Sequence, residues 1–188
     1  MHATLYHPRG ETAKPCVFLD RDGTINVDKN YLYKPEDWEW IAGAKEAILR
    51  ANQAGFLVVV VSNQSGIARG LYTAKDVELL HQFVHHELQQ IGAHIDAFYF
   101  CPHGPDDGCD CRKPSPKMLQ HAAQQLNIDL QHSYMIGDKV IDVQAGINAG
   151  VKSILVRTGQ GAEEAKKVKT ETVIVEDLDA AMMVAKIA

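Results

Sequence analysis

No run of apolar residues in this chain approaches the roughly 20 that a membrane-spanning helix needs. Positive charge is not in excess either. Lys and Arg number 19 against 24 Asp and Glu, for a formal net charge of −5. That balance excludes a global nucleic-acid footprint, although a local basic pocket remains open. The first residues, MHATLYHPRG, lack the charged-then-apolar pattern of a secretory leader. Internal repeats and low-complexity linkers are missing too. The expectation is one domain over residues 1–188, in a cytoplasmic protein with neither a membrane nor a nucleic acid as partner. Cysteine is sparse. Cys16 lies alone in an apolar run, while Cys101, Cys109 and Cys111 crowd into one loop. In a reducing compartment that spacing favours a metal over a disulfide.

Hydrophobic residues make up 46% of the chain, enough for a sizeable core. Strand-like runs alternate with helical patterns. CVFLD is followed by a polar loop and a helix near Ala44–Ala54. FLVVVVSN (Phe56–Asn63) has the valine run of a strand buried on both faces. A long helix is predicted over Thr73–Ile91, with Thr73 as N-cap, then a strand at Ile95–Phe100. The next helix reads as capped by Ser115, with Pro116 at its first position. YMIGD, SILVR and TVIVED read as three further strands, each followed by a helix. This alternation predicts a doubly wound α/β fold: a mostly parallel sheet, helices on both faces and connections too short for a large cap domain.

In such sheets, sites form beyond the C-terminal strand ends. Asp20, Ser62-Asn63, Cys101 and Asp138 end the first four predicted strands, so one edge should gather them. Asp20 and Asp22 lie two apart, and GDKVID adds Asp138 and Asp142. Carboxylates so grouped suit a hard divalent cation such as Mg²⁺. Lys113 and Lys139 bring positive charge, and Ser62 and Asn63 bring small polar groups. Together these describe a phosphoryl site, whose needs are positioning and charge neutralisation. Separately, CPHGPDDGCDC sets Cys101, His103, Cys109 and Cys111 as a complete tetrahedral Zn²⁺ set. All four positions would be filled, so that zinc would be structural. Its use would be to fix the direction of Arg112 and Lys113, which follow directly.

DRDGT, VSN, RKP and GDKVID, in this order, resemble the four signature motifs of the haloacid dehalogenase-like (HAD-like) phosphatases. The resemblance implies that Asp20 is a nucleophile forming an aspartyl-phosphate. Asp22 would serve as general acid and then base, with its main-chain carbonyl on Mg²⁺. Ser62 would hold the transferring phosphoryl group, Lys113 would stabilise its charge, and Asp138 would complete a metal set of Asp20, Asp22 and Asp138. Asp142 stays outside that set, as a ligand or an orienting group for Lys139 or Asp138. Ser62 departs from the Thr frequent in near relatives but keeps the hydroxyl. Within the superfamily, NQSGIARG together with the Cys/His loop is similar to the heptose 1,7-bisphosphate 7-phosphatases. That implies a small sugar bisphosphate as substrate and a monomeric enzyme. Asn63, Arg69, Arg112 and Lys139 would contact the substrate, Arg69 as partner for the second phosphate. Histidinol-phosphate phosphatases share the motifs and the zinc loop, and the five-residue gap between His103 and Cys109 suits them too. A polynucleotide 3′-phosphatase or a zinc-loop nucleic-acid-binding module is a more distant alternative. The segment Asp28–Trp40 offers Lys29, Asn30 and Tyr31 to the pocket, with Trp38 and Trp40 as packing residues.

Overall fold

The computed structural model describes residues 1–7, 9–169 and 171–187. They form seven strands: β1 (His2–Leu5), β2 (Cys16–Leu19), β3 (Leu57–Asn63), β4 (Ala97–Cys101), β5 (Tyr134–Gly137), β6 (Lys152–Val156) and β7 (Val173–Val175). The helices are α1 (Ala44–Gln53), α2 (Ala74–Gln89), α3 (Lys117–Leu126), α4 (Val140–Ala149), the single turn α5 (Gly161–Glu164) and α6 (Leu178–Val184). One sheet runs β1-β4-β3-β2-β5-β6-β7. Every neighbouring pair is parallel except β1 with β4.

The valine run shows why this sheet needs two layers of cover. Val58 and Val60 point into one core with Val17 and Leu19, against α1, α2 and α6. Val59 and Val61 point into the other core with Cys16 and Phe18, against α3 and α4. Period-2 alternation with both faces apolar is what a central parallel strand requires. At about 25 cal/mol per Å² of apolar area, each such valine contributes on the order of 1.5–3 kcal/mol of burial free energy. Trp38 and Trp40 pack edge-on to each other against the first core. His81 is also a core residue. It lies stacked on Phe98, and burial holds its pKa well below the usual value.

Several boundaries differ from the sequence reading: β4 runs Ala97–Cys101 rather than Ile95–Phe100, and β3 and α1 are each one residue shorter than expected. Thr73 does cap α2, in a reciprocal box with Asp76, but the helix stops at Gln89. The third helix begins at Lys117 with Pro116 as N-cap, not at Pro116 with Ser115 as cap. Ser115 Oγ instead accepts from the Lys117 N–H and donates to the Asp110 carbonyl. β1 went unread because four residues with alternating exposure carry too little hydrophobic signal. Among the described residues no helix is long and apolar enough to cross a membrane.

Candidate active site

β2 lies at the middle of the sheet, with β3 and β5 on either side. Its ladder runs one residue past the strand, where the Asp20 N–H donates to the Ile136 carbonyl at 2.9 Å. The chain must then turn at once. Gly23 permits this with φ of 92°, and its bare Cα lets Asp138 approach. A Cβ there would lie 2.2 Å from Asp138 Oδ2. From the other side Gly159, also at positive φ, closes over the same oxygen, and Thr158 Oγ1 donates to the Gly23 carbonyl at 2.7 Å.

The carboxylates of Asp20, Asp138 and Asp142 thus meet, with one oxygen of each within 4.8 Å of the others, all three buried. Lys113 Nζ reaches between two of them, 2.7 Å from Asp20 Oδ1 and 2.7 Å from Asp142 Oδ1. It also donates to the Val61 carbonyl. Lys113 itself is buried. Burial alone would lower its pKa, but Asp142 and Asp20 reverse this and hold it raised. The second lysine, Lys139, is 3.4 Å from Asp28 and 3.8 Å from Asp138 Oδ1. Two ammonium groups do not neutralise the cluster. Burial first, and the charge of Asp20 second, push Asp138 up to about 7 and Asp142 up to about 6. Asp138 Oδ1 is buried without a hydrogen-bond partner among the described residues, whereas Oδ2 accepts from the Gln160 N–H.

Asp22 is placed differently. Arg21, fully buried, donates to both Asp22 oxygens and to the Leu32 carbonyl. Asn26 and Gln64 donate to Asp22 as well. Burial would raise the Asp22 pKa, yet Arg21, Asn26 and Gln64 together hold it below the ordinary carboxylate value. Its carboxylate lies outside the Asp20–Asp138–Asp142 group.

The expected substrate-contact residues divide. Asn63 is spent on the protein itself. Its amide donates to the Lys113 carbonyl at 3.2 Å and accepts from the Lys113 N–H at 3.0 Å. Arg112 donates to the His103 carbonyl. Ser62 is buried at the end of β3, its hydroxyl 3.3 Å from Gln64 Nε2. Arg69 and Lys139 look onto open space. Arg69 is exposed, its guanidinium over the Tyr31 ring at 5.8 Å. A cavity of about 210 Å³ is walled by Asp22, Asn30, Tyr31, Asn63, Gln64 and Lys139, and Arg69 reaches it only through its contact with Tyr31. A second opening of about 510 Å³ shares Asp28, Asn30 and Gln160 with it. Lys29, the remaining pocket candidate, faces neither and pairs with Glu39.

Cys101, His103, Cys109 and Cys111 come together just beyond β4. Cys111 Sγ is 3.2 Å from Cys101 Sγ, Cys109 Sγ is 3.6 Å from it, and His103 Nδ1 is 3.5 Å from both Cys101 and Cys111. All four cysteines of the chain are free thiols. Burial pushes the Cys101 thiol up, while the Arg112 N–H and Cys101 hold Cys109 below its ordinary value.

Similarity to known proteins agrees with this geometry. The HAD-hydrolase-like family model matches residues 110–181. D-glycero-β-D-manno-heptose-1,7-bisphosphate 7-phosphatase of Yersinia pestis is 44% identical over 154 residues, covering 78% of this chain and 82% of the relative. The enzyme of the same name from Helicobacter pylori is 45% identical over 142 residues, covering 75% and 82%. The chain belongs to this family of HAD-like phosphatases. A solved structure of D,D-heptose 1,7-bisphosphate phosphatase from Bordetella bronchiseptica, complexed with magnesium and phosphate, superimposes with a TM-score of 0.86 at 39% identity, over 93% of this chain and 99% of that one. The corresponding structure from Burkholderia thailandensis gives 0.71 at 34% identity, over 91% and 97%. The expectations of a HAD-like α/β fold and of phosphatase activity therefore hold.

Several members of the site escaped sequence reasoning. Gln64 and Tyr72 form a chain onto Asp22, with the Tyr72 hydroxyl donating to Gln64 Oε1 at 2.7 Å. Sequence reasoning assigns Arg21 no role, yet it is the buried anchor of the Asp22 turn. Asp28 and Gln160 come from segments without a motif. Asp142 carried a signal, since it falls three residues after Lys139 at the start of a helix. There it accepts from the Lys139 N–H at 3.0 Å.

Proposed function

We propose that this enzyme hydrolyses the 7-phosphate of D-glycero-β-D-manno-heptose 1,7-bisphosphate through an aspartyl-phosphate on Asp20. The observation that carries the mechanism is Lys113 wedged between Asp20 and Asp142 at the central strand end. The substrate rests on the names of relatives that are 44–45% identical over most of both chains.

The donors fit a Mg²⁺ ion. They are hard oxygens, one of them a buried and unpartnered atom of Asp138, in a cluster with surplus negative charge. Asp20 and Asp138 would hold the ion, with the Asp22 carbonyl as the family resemblance implies. When bound, it supplies charge neutralisation for the phosphoryl group and the carboxylates. Asp142 acts differently. One oxygen faces Lys113 and the other accepts from the Lys139 N–H, so it orients the lysine rather than a metal.

Lys113 holds Oδ1 of Asp20, which leaves the second oxygen to attack phosphorus. A carboxylate needs no deprotonation to do so at neutral pH. As the Asp20–phosphorus bond forms, the bond to the C7 oxygen breaks, and that oxygen takes a proton from Asp22. Water then attacks phosphorus and gives a proton to Asp22, and phosphate leaves as the bond to Asp20 breaks. Ser62 and Lys113 face the phosphoryl oxygens in both halves. The free site favours ionised Asp22, the form needed in the second half. A phosphate dianion beside it raises its pKa and supplies the acid for the first half. Asn63 and Arg112 contribute indirectly, by clamping the Lys113 segment. Arg69 and Lys139, on the open rim, serve the second phosphate.

The Cys/His donors suit Zn²⁺. Four mixed S/N donors lie 3.2–3.6 Å apart, close to the edge of a tetrahedron with bonds of about 2.0–2.3 Å. Reduced thiols fit a cytoplasmic enzyme. One continuous sheet across the described residues supports a single domain, and we take the enzyme to act as a monomer.

The test is phosphate release in Mg²⁺ with heptose 1,7-bisphosphate against histidinol phosphate. A preference of about a hundredfold in kcat/KM for the heptose, roughly 2.7 kcal/mol, is expected. A preference for histidinol phosphate would overturn the substrate while leaving the chemistry intact.

A further inference from the structure

The end of the sheet opposite the active site holds a third set of metal-type donors. Asp96 precedes β4 and is buried. Its N–H donates to the Val58 carbonyl at 2.8 Å, and its Oδ2 accepts from the Val58 N–H at 2.8 Å. The carboxylate is therefore fixed by backbone on one oxygen, with the other left to face outward. Two imidazoles converge on that second oxygen. His7 Nδ1 lies 2.8 Å and His94 Nε2 3.6 Å from Asp96 Oδ1. The rings meet edge to face with centroids 4.5 Å apart. One donor atom from each residue lies within 4.8 Å of the others. All three line a cavity of about 240 Å³ together with Asn52. Asn52 Oδ1 accepts from the His94 N–H, which fixes the segment. Its amide nitrogen is buried with no partner among the described residues.

A hydrogen bond to His7 alone would satisfy Asp96, yet the ring packing and the Asn52 contact bring a second imidazole nitrogen to 3.6 Å from the same oxygen. A cation among the three accounts for both. Nitrogen and oxygen ligands at about 2.0–2.2 Å from a metal lie about 3.0–3.5 Å apart in octahedral or tetrahedral geometry. The observed 2.8 and 3.6 Å fall on either side of that range. The Val58 N–H on the far oxygen is the kind of outer contact that orients a ligating carboxylate.

We propose that His7, His94 and Asp96 form an open, three-ligand site for a divalent transition-metal ion of the Zn²⁺ class. Imidazole and carboxylate together select such ions over Mg²⁺, so the site does not draw on the metal of the catalytic edge. The remaining coordination positions face the cavity and take water or a small anion. The bound ion ties the segment after β1 to the start of β4. It binds the folded chain only and stabilises it by mass action.

The experiment is a Zn²⁺ titration of the full chain, followed by metal content and by melting temperature. His7→Ala and His94→Ala are tolerable changes, since those side chains are 44% and 34% exposed. The wild type is expected to take one more equivalent of Zn²⁺ than either variant and to gain melting temperature on its addition. Both variants should lose that gain and keep kcat. Cys109→Ser should keep this equivalent while losing the one at the cysteine loop. Equal zinc uptake by the wild type and both histidine variants overturns the proposal. So does an extra equivalent that vanishes in Cys109→Ser but survives in His94→Ala.

Discussion

The aspartate cluster and the cysteine cluster lie at the same edge of the sheet, yet they are assembled in opposite ways. Cys101, His103, Cys109 and Cys111 belong to one loop, so their donors are near one another before any fold exists. Asp20, Lys113, Asp138 and Asp142 come from three distant segments and meet only because β2 lies between β3 and β5. With Zn²⁺ bound as proposed, the first cluster would order a polar loop. The second concentrates charge the fold disfavours, as the raised Asp138 and Asp142 show. A bound metal would add stability in the first place, while the second spends it, and Arg112-Lys113 is the covalent link between them.

Breaking the second cluster at its centre should have the largest effect. Asp20→Asn is expected to lower kcat by about 10⁴-fold or more, as loss of a covalent nucleophile does. Retention of more than a few per cent of kcat would remove Asp20 from that role. Lys113→Met should follow, with kcat down by about 10²–10³-fold. It also leaves Asp20 and Asp142 buried without their counter-ion, at a cost of about 3–5 kcal/mol in chemical denaturation.

Disrupting the first cluster tests the link. Cys109→Ser should lose zinc and lower melting temperature together, and kcat should fall as Lys113 loses its anchor. Unchanged metal content in the purified variant would show that the four donors hold no metal.

A fourth experiment separates charge from packing. A carboxyl whose folded pKa lies above its unfolded value binds its proton more tightly when folded. The metal-free protein therefore gains stability from Asp138 protonation at low pH and loses it as pH rises from 3.8 to about 7. Asp138→Asn should melt higher than the wild type near pH ~8 without Mg²⁺, and the advantage should shrink by pH ~5. Mg²⁺ should stabilise the wild type most at the higher pH. A pH-independent difference between the two proteins would show that Asp138 is not electrostatically strained. The smallest effect belongs to the rim. Arg69→Ala should raise KM for the bisphosphate by about 10-fold, near 1.4 kcal/mol, with little change for a simple monophosphate. Equal changes for both would remove Arg69 from the second phosphate.

Legibility from sequence followed the same division. The cysteine set was readable from spacing alone, because its geometry is local. The carboxylate edge was readable from strand ends, because a parallel sheet places them in one row. What that rule does not report is where a side chain is turned. Asn63 and Arg112 lie at the right edge but bond to the Lys113 carbonyl and N–H and to the His103 carbonyl. Asp22 shares a strand end with Asp20 yet is drawn aside by Arg21. Gln64 reads only as part of NQSGIARG and Tyr72 not at all, because their meaning lies in a contact that bends across a loop. The antiparallel β1 was missed because its alternating exposure looks like an ordinary surface segment.

The strand order has a consequence for synthesis. β2 can pair with β3 once Leu57–Asn63 has been made, but its other neighbour begins only at Tyr134. At about 5–20 residues per second, the open side of β2 waits for seconds with its backbone donors and acceptors exposed. The second side of β2, and with it the meeting of Asp20 with Asp138 and Asp142, therefore closes only after Tyr134–Gly137 and the helix that follows have been made.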